Sequence, residues 1–165
     1  MFYGVAIGSF AFFHTVITLV ALVAGLLTLF AMLRNDRANT MTAVFLLFDA
    51  LTAITGFLLP FQSATQPSMV VGYILSVAVL LAVLGRYLFS VRGVWRPVYV
   101  VAAVLSLYLN SFVFVTQTFI KVPALHAIAP GTPPAGTVFT AVQGLVLLFY
   151  IATGYLSVRR FKPRM

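Results

Sequence analysis

Five stretches of this sequence are long and apolar enough to cross a lipid bilayer as helices, and they constrain its fold more than any other feature. They run over about 10–33, 41–60, 69–90, 98–120 and 137–158. A hydrocarbon core of about 30 Å needs roughly 20 helical residues, because an α-helix rises about 1.5 Å per residue. The sequence therefore predicts an all-α fold: one domain, 1–165, forming an integral membrane bundle of five transmembrane helices.

The composition agrees with a membrane protein and excludes several other classes. Charged residues make up 7% of the chain and apolar residues 62%, whereas a soluble domain carries about 25% charged residues. This composition argues against a water-soluble enzyme and against a free nucleic-acid binder, despite the net charge of +8. The sequence has no cysteine, which rules out disulfides, thiolate metal sites and cysteine nucleophiles.

The basic residues predict the orientation of the bundle. With five spans the loops alternate between the two sides of the membrane. Lys121 then lies alone on one side, and the other side holds Arg34, Arg37, Arg86, Arg92, Arg96, Arg159, Arg160, Lys162 and Arg164. Cytoplasmic loops are enriched in Lys and Arg, so we expect the N-terminus outside and the C-terminus in the cytoplasm. The expected partner of this basic face is the layer of anionic lipid headgroups.

Small and polar residues recur along each span at helical spacing. His14, Thr18, Ala21, Gly25 and Thr28, for example, are separated by 4, 3, 4 and 3 positions. Such spacing places them on one helix face. Because small residues allow helices to approach closely and polar ones bond between helices, we expect these faces to form the bundle interior, either as packing alone or as part of a site.

Asp49 is the most informative polar residue, because it lies roughly 12 Å deep by the helical rise. An ionisable residue at that depth is expensive and marks function by default. Arg86 is its expected partner. Three interpretations stay open for Asp49: a structural ion pair with Arg86, a proton or cation site, and a contact with a ligand. Without a partner the carboxyl group is expected to be protonated or to face water, since burial disfavours its charged form.

A second set of polar residues lies at the middle and the outer end of the spans. Asn110 is expected near the bilayer midplane, as an interhelical clamp or as a contact for a carbonyl-bearing ligand. The side chains expected to converge near the outer surface are Gln117, Lys121, His14, His126 and Gln143. Two histidines without carboxylate or thiolate help make a weak metal site, so no metal is predicted. No catalytic constellation is visible either.

One part of the chain resembles a group of small bacterial inner-membrane proteins that have no assigned activity. The segments that carry the resemblance are Gly85-Arg-Tyr87, Gly93-Val-Trp-Arg-Pro-Val-Tyr99, Leu107-Tyr-Leu-Asn110, Gln117 and Lys121-Val-Pro-Ala-Leu-His-Ala-Ile-Ala-Pro130, with a weaker match at His14. They cover the third and fourth spans and the loop that follows. The resemblance implies a location in the bacterial inner membrane and implies no chemistry.

Three functions stay open at the level of sequence. The first is a non-enzymatic protein that binds or conducts a small ligand or ion through a polar bundle interior, along Asp49, Arg86, Asn110, Gln117, Lys121 and Gln143, with His14 and His126 at the outer face. The second is an accessory subunit that packs against a larger membrane complex or against copies of itself. The third is a membrane enzyme that uses a quinone, haem or metal, although no cofactor is predicted.

Overall fold

The structure, a computed structural model, describes residues 2–59 and 67–162, with side chains for 8–59 and 68–162. Its helices are α1 (Phe2–Leu33), α2 (Asn39–Phe57), α3 (Pro67–Val83), α4 (Trp95–Lys121), α5 (Pro123–Ile128) and α6 (Thr137–Arg160). Within these residues, five helices are long and apolar enough to cross a membrane, so the predicted five-span, all-α fold is confirmed. Pro60, residues 61–66 and Arg164 lie outside the described residues.

The ends of the helices that carry most of the charge meet at one end of the bundle, which we call the basic end. There, Arg86 donates to the carbonyl of Arg37 at 3.1 Å, and the backbone N–H of Lys162 donates to Asn35 Oδ1 at 2.7 Å. Arg96 Nη1 donates to the carbonyls of Val158 and Phe161 at 3.0 and 2.8 Å. Because the last carbonyls of a helix lack partners within the helix, Arg96 satisfies the end of α6.

The opposite end of the bundle is where α4 ends at Lys121, and we call it the Lys121 end. Helix α4 packs against α1, α3, α5 and α6 and is the most buried of the spans. The close approach of α1 to its neighbours requires a glycine: a Cβ at Gly25 would lie 2.5 Å from Leu107 Cδ1 and 2.9 Å from the ring of Phe45. The predicted inward stripe of α1 is buried from Ala21 to Thr28.

Three details of the helices differ from the sequence-based expectation or complete it. The residues from Pro123 to Gly136 include four prolines and two glycines, which favour turns over helix. This segment nevertheless begins with the short helix α5, because proline is preorganised for the first turn of a helix. Residues Leu84–Leu88 continue α3 as π-helix rather than α-helix, at the point where Gly85 packs against Tyr99. Helix α1 begins at Phe2, so the N-terminal residues extend the first span.

Candidate functional site

A cavity of about 300 Å³ opens among α1, α2, α3 and α4 in the half of the bundle next to the Lys121 end. Most of its wall is apolar, and a few polar side chains point to it from different helices. The polar residues around it are His14, Thr18, Thr52, Ser68, Asn110, Gln117 and Lys121. An apolar cavity with a few convergent polar groups is typical of a small-molecule site. The volume is at the small end of the range for such sites, about 300–1,000 Å³.

His14 is fixed at the cavity wall by a hydrogen bond to the neighbouring helix. Its Nδ1 lies 2.7 Å from Thr55 Oγ1, and the Thr55 hydroxyl donates to the carbonyl of Leu51 at 2.6 Å. Since a hydroxyl has one hydrogen to donate, Nδ1 of His14 is assigned as the donor to Thr55. In the neutral ring this assignment leaves Nε2 as a hydrogen-bond acceptor.

Two threonines continue the polar wall below His14, toward the middle of the bundle. Thr52 Oγ1 lies 3.4 Å from Thr18 Oγ1 and also donates to the carbonyl of Phe48 at 2.9 Å. Thr18 in turn donates to the carbonyl of His14 at 2.9 Å. The helical spacing predicted an inward-facing position for Thr18 on α1 without assigning it to a site. The spacing of Thr18 from His14 and of Thr52 from Asp49 was the available signal.

Asn110 ends this polar wall toward the middle of the bundle and is hydrogen-bonded to Asp49. Asn110 lines the cavity and is 3% exposed, and its Nδ2 donates to Oδ1 of Asp49. Asp49 is fully buried, and its Oδ2 has no hydrogen-bond partner among the described residues. Ser106 lies beside the carboxyl group, and its hydroxyl donates to the carbonyl of Ala103 at 3.1 Å. Asp49 itself does not line the cavity, so Asn110 connects the two.

The predicted pair of Asp49 and Arg86 is wrong. Arg86 binds the carbonyl of Arg37 and Oδ1 of Asn39 at the basic end, and its guanidinium carbon lies 5.6 Å from the ring centroid of Tyr99. Asn39 is ten positions before Asp49 on α2, which is about 15 Å along the helix. The basic end provides Arg86 with oxygen acceptors and an aromatic ring, so its side chain binds there and lies far from the carboxyl group of Asp49.

Gln143 and His126 do not line the cavity. Gln143 Nε2 joins α6 to α4 by donating to the carbonyl of Phe112 at 3.0 Å and to Thr116 Oγ1 at 3.1 Å. His126 lies half-buried on α5, and its Nδ1 is buried with no hydrogen-bond partner in the part of the chain that the structure describes. The structure therefore gathers His14, Gln117, Lys121 and Asn110 around the cavity, and it leaves Gln143 and His126 outside.

Comparisons with protein-family models, with curated proteins and with solved structures find no match to this chain. The resemblance to bacterial inner-membrane proteins stays a prediction. Among residues 2–59 and 67–162, no three His, Asp or Glu side chains are grouped as a metal site would require. A function for this protein is therefore proposed from the geometry of the cavity.

Proposed function

We propose that this multi-pass membrane protein binds a small ligand in the cavity at its Lys121 end and is not itself an enzyme. The observation that carries the proposal is the convergence of His14, Asn110, Gln117 and Lys121, from two helices, on one mostly apolar cavity. Each of these side chains offers a hydrogen-bonding group, and the apolar wall supplies contact area. Together they provide both orientation and affinity for an amphipathic molecule.

The packing of the lower half of the bundle favours binding over conduction. Beyond Asn110 and Thr52, toward the basic end, the interior is filled by Leu107, Phe45 and Tyr99, each 1% exposed. Interiors packed with side chains leave few voids larger than a water molecule. The cavity therefore ends above this layer, and a ligand that enters at the Lys121 end is held there.

The charges around the cavity favour an anionic ligand. Of the side chains that the structure places around it, Lys121 carries the one permanent formal charge. Lys121 is exposed, so its ammonium group stays hydrated at the mouth of the cavity and does not need a partner from the protein. A ligand with an anionic head and a short apolar body would place the head at Lys121 and the body against the apolar wall.

Two probes of opposite charge test this preference. Hexanesulfonate and hexyltrimethylammonium share an apolar chain and keep a fixed charge at all relevant pH values. Their dissociation constants are measured by calorimetry with the protein in nanodiscs of zwitterionic lipid. We expect the anion to bind more tightly, by up to about fivefold, because an exposed ion pair contributes at most about 1 kcal/mol.

The variant Lys121→Gln should abolish that preference while it keeps the apolar contacts. The matched control is Arg92→Gln, which removes an exposed basic residue at the other end of the bundle and should leave the preference unchanged. Binding of neither probe to the wild-type protein, or an equal preference in the wild type and Lys121→Gln, would count against the proposal.

We further propose that the membrane is a bacterial inner membrane, with the Lys121 end outside and the basic end in the cytoplasm. The distribution of basic residues supports this orientation, and the resemblance described above supports the membrane. Exposed arginines such as Arg34, Arg92 and Arg160 would then contact anionic headgroups, each with about 1 kcal/mol of attraction.

A further inference from the structure

Asp49 is a buried carboxyl group with no basic side chain paired to it among the described residues. It is 0% exposed, one oxygen accepts a hydrogen bond from Asn110, and the other has no hydrogen-bond partner among the described residues. Transfer of an isolated ionised carboxylate from water into an apolar interior costs far more than transfer of the neutral acid. The surroundings of Asp49 therefore favour the protonated form.

The charged and titratable side chains of the neighbouring helices lie away from this carboxyl group. His14 of α1 is held at Thr55, six positions after Asp49 on α2, or about 9 Å toward the Lys121 end. Arg86 of the π-helical segment is held at Asn39, about 15 Å toward the basic end. The other titratable or charged side chains described on these helices are Tyr73 of α3, which packs on Phe57, Tyr87, which is exposed, and, on α4, Arg96 at the basic end, Tyr99 beside Arg86, Tyr108, and Lys121 at the cavity mouth. Tyr150 of α6 is hydrogen-bonded to Ser111 at 2.7 Å.

We propose that Asp49 and Asn110 form a proton-binding site beneath the cavity, with Asp49 protonated in the ligand-free protein at neutral pH. The proton comes from water that enters through the cavity, and it resides on the carboxyl group, whose charge changes from −1 to 0. Asn110 is the connecting residue, because it faces the cavity and also donates to Asp49.

The position of Asn110 also predicts a coupling between the proton and the ligand, and this part rests on the proposed function. With its anionic head at Lys121, a bound ligand extends its apolar body down the cavity toward Asn110 and excludes water there. Loss of water and the presence of a second negative charge both disfavour an ionised carboxylate, so the bound ligand favours protonation of Asp49. Anion binding and proton binding then strengthen one another, as linkage requires, and the anion binds more tightly as the pH falls through the range in which Asp49 titrates.

The first experiment detects the proton directly by infrared spectroscopy. The chain has only two Asp and no Glu, so the C=O stretching band of a protonated carboxyl can be assigned by two variants. We expect the wild-type protein to show the band at neutral pH, Asp49→Asn to lose it, and Asp36→Asn, at an exposed loop position, to keep it. Absence of the band in the wild type, or its persistence in Asp49→Asn, would overturn the proton site.

A second version of the infrared experiment does not depend on the folding of Asp49→Asn. In Asp36→Asn labelled with ¹³C at the aspartate carboxyl, Asp49 holds the one labelled side-chain carboxyl group. A band that shifts with the label assigns the proton to Asp49. A band that does not shift, or no band at all, removes it from Asp49.

The second experiment tests the coupling, with hexanesulfonate as the probe. Its affinity should rise as the pH falls, by up to about tenfold per pH unit for one coupled proton, and Asp49→Asn should remove this dependence. Asp36→Asn removes the one other acidic side chain of the sequence, at an exposed loop position, and should keep the dependence. An infrared band without hexanesulfonate binding would refute the proposed function and leave the proton site intact. Binding with no infrared band would refute the proton site alone.

Discussion

The hydrogen bond between Asn110 and Asp49 provides the sharpest test of how the bundle interior is held together. We consider Asn110→Leu, which keeps approximately the size of the side chain and removes the donor. In this variant the fully buried carboxyl group of Asp49 loses its amide donor, and the hydroxyl of Ser106 beside it donates to the carbonyl of Ala103. An unsatisfied buried polar group costs about 1–3 kcal/mol.

The double variant Asp49→Leu, Asn110→Leu separates the hydrogen bond from other effects of the substitutions. Replacing both partners of a buried polar pair with apolar groups of similar shape is close to neutral, so the double variant should be more stable than Asn110→Leu alone. Hydrogen bonds between transmembrane helices give coupling energies of about 0.6 kcal/mol on average and about 1.7 kcal/mol at most. Because both side chains are buried, we expect a value near this upper limit.

The free energies of unfolding are measured for the wild type, both single variants and the double variant in detergent micelles, with increasing fractions of a denaturing detergent. Thr118→Val serves as the control, since the Thr118 hydroxyl donates only within its own helix, to the carbonyl of Phe114 at 2.8 Å. It should change stability by less than about 0.5 kcal/mol. Destabilisation of the double variant by at least the sum of the two single variants would refute the reasoning.

Two further predictions concern the packing and the orientation of the helices. Gly25→Ala should destabilise the bundle by about 1–3 kcal/mol in the same unfolding assay, because its Cβ would overlap Leu107 and Phe45, both 1% exposed. The control Gly144→Ala, whose Cβ meets nothing within 4 Å, should be neutral or slightly stabilising. Reporter fusions at the C-terminus and within 132–136 should report opposite sides of the membrane, with the C-terminus in the cytoplasm; a C-terminal fusion active only outside would reverse the assigned orientation.

The sequence predicted the spans and the inward faces because both depend on local properties. The length of a span follows from the length of its apolar run, and helical periodicity places residues such as Ala21 and Thr28 on the interior, where the structure buries them. The depth of a residue in the membrane could also be predicted, because it follows from the position of that residue along its helix. These features need no knowledge of which helices are neighbours.

The contacts between helices could not be obtained in the same way. Asp49 was matched with Arg86 by charge, but the choice of partner depends on acceptors that the fold brings to the basic end, the carbonyl of Arg37 and the side chain of Asn39. The bond between Asp49 and Asn110 joins residues 61 positions apart. The sequence showed that Asp49 and Asn110 are deep and polar, but which residues of other helices they contact depends on tertiary packing. His126 was expected near His14, but Pro123 starts a separate helix that carries it away from the cavity lining.

The existence of a cavity that water reaches from the Lys121 end is the central claim, and the accessibility of single cysteines tests it most directly. The chain has no cysteine, so Thr18→Cys and Thr28→Cys each introduce a single thiol on the same helix. Thr18 lines the cavity, whereas Thr28 is 2% exposed in the packed half of the bundle. A small charged thiosulfonate, added to the protein in sealed vesicles and detected by intact mass, should modify Thr18→Cys from the Lys121 side and leave Thr28→Cys unmodified. Equal labelling of both thiols, or no labelling of Thr18→Cys from either side, would contradict the cavity.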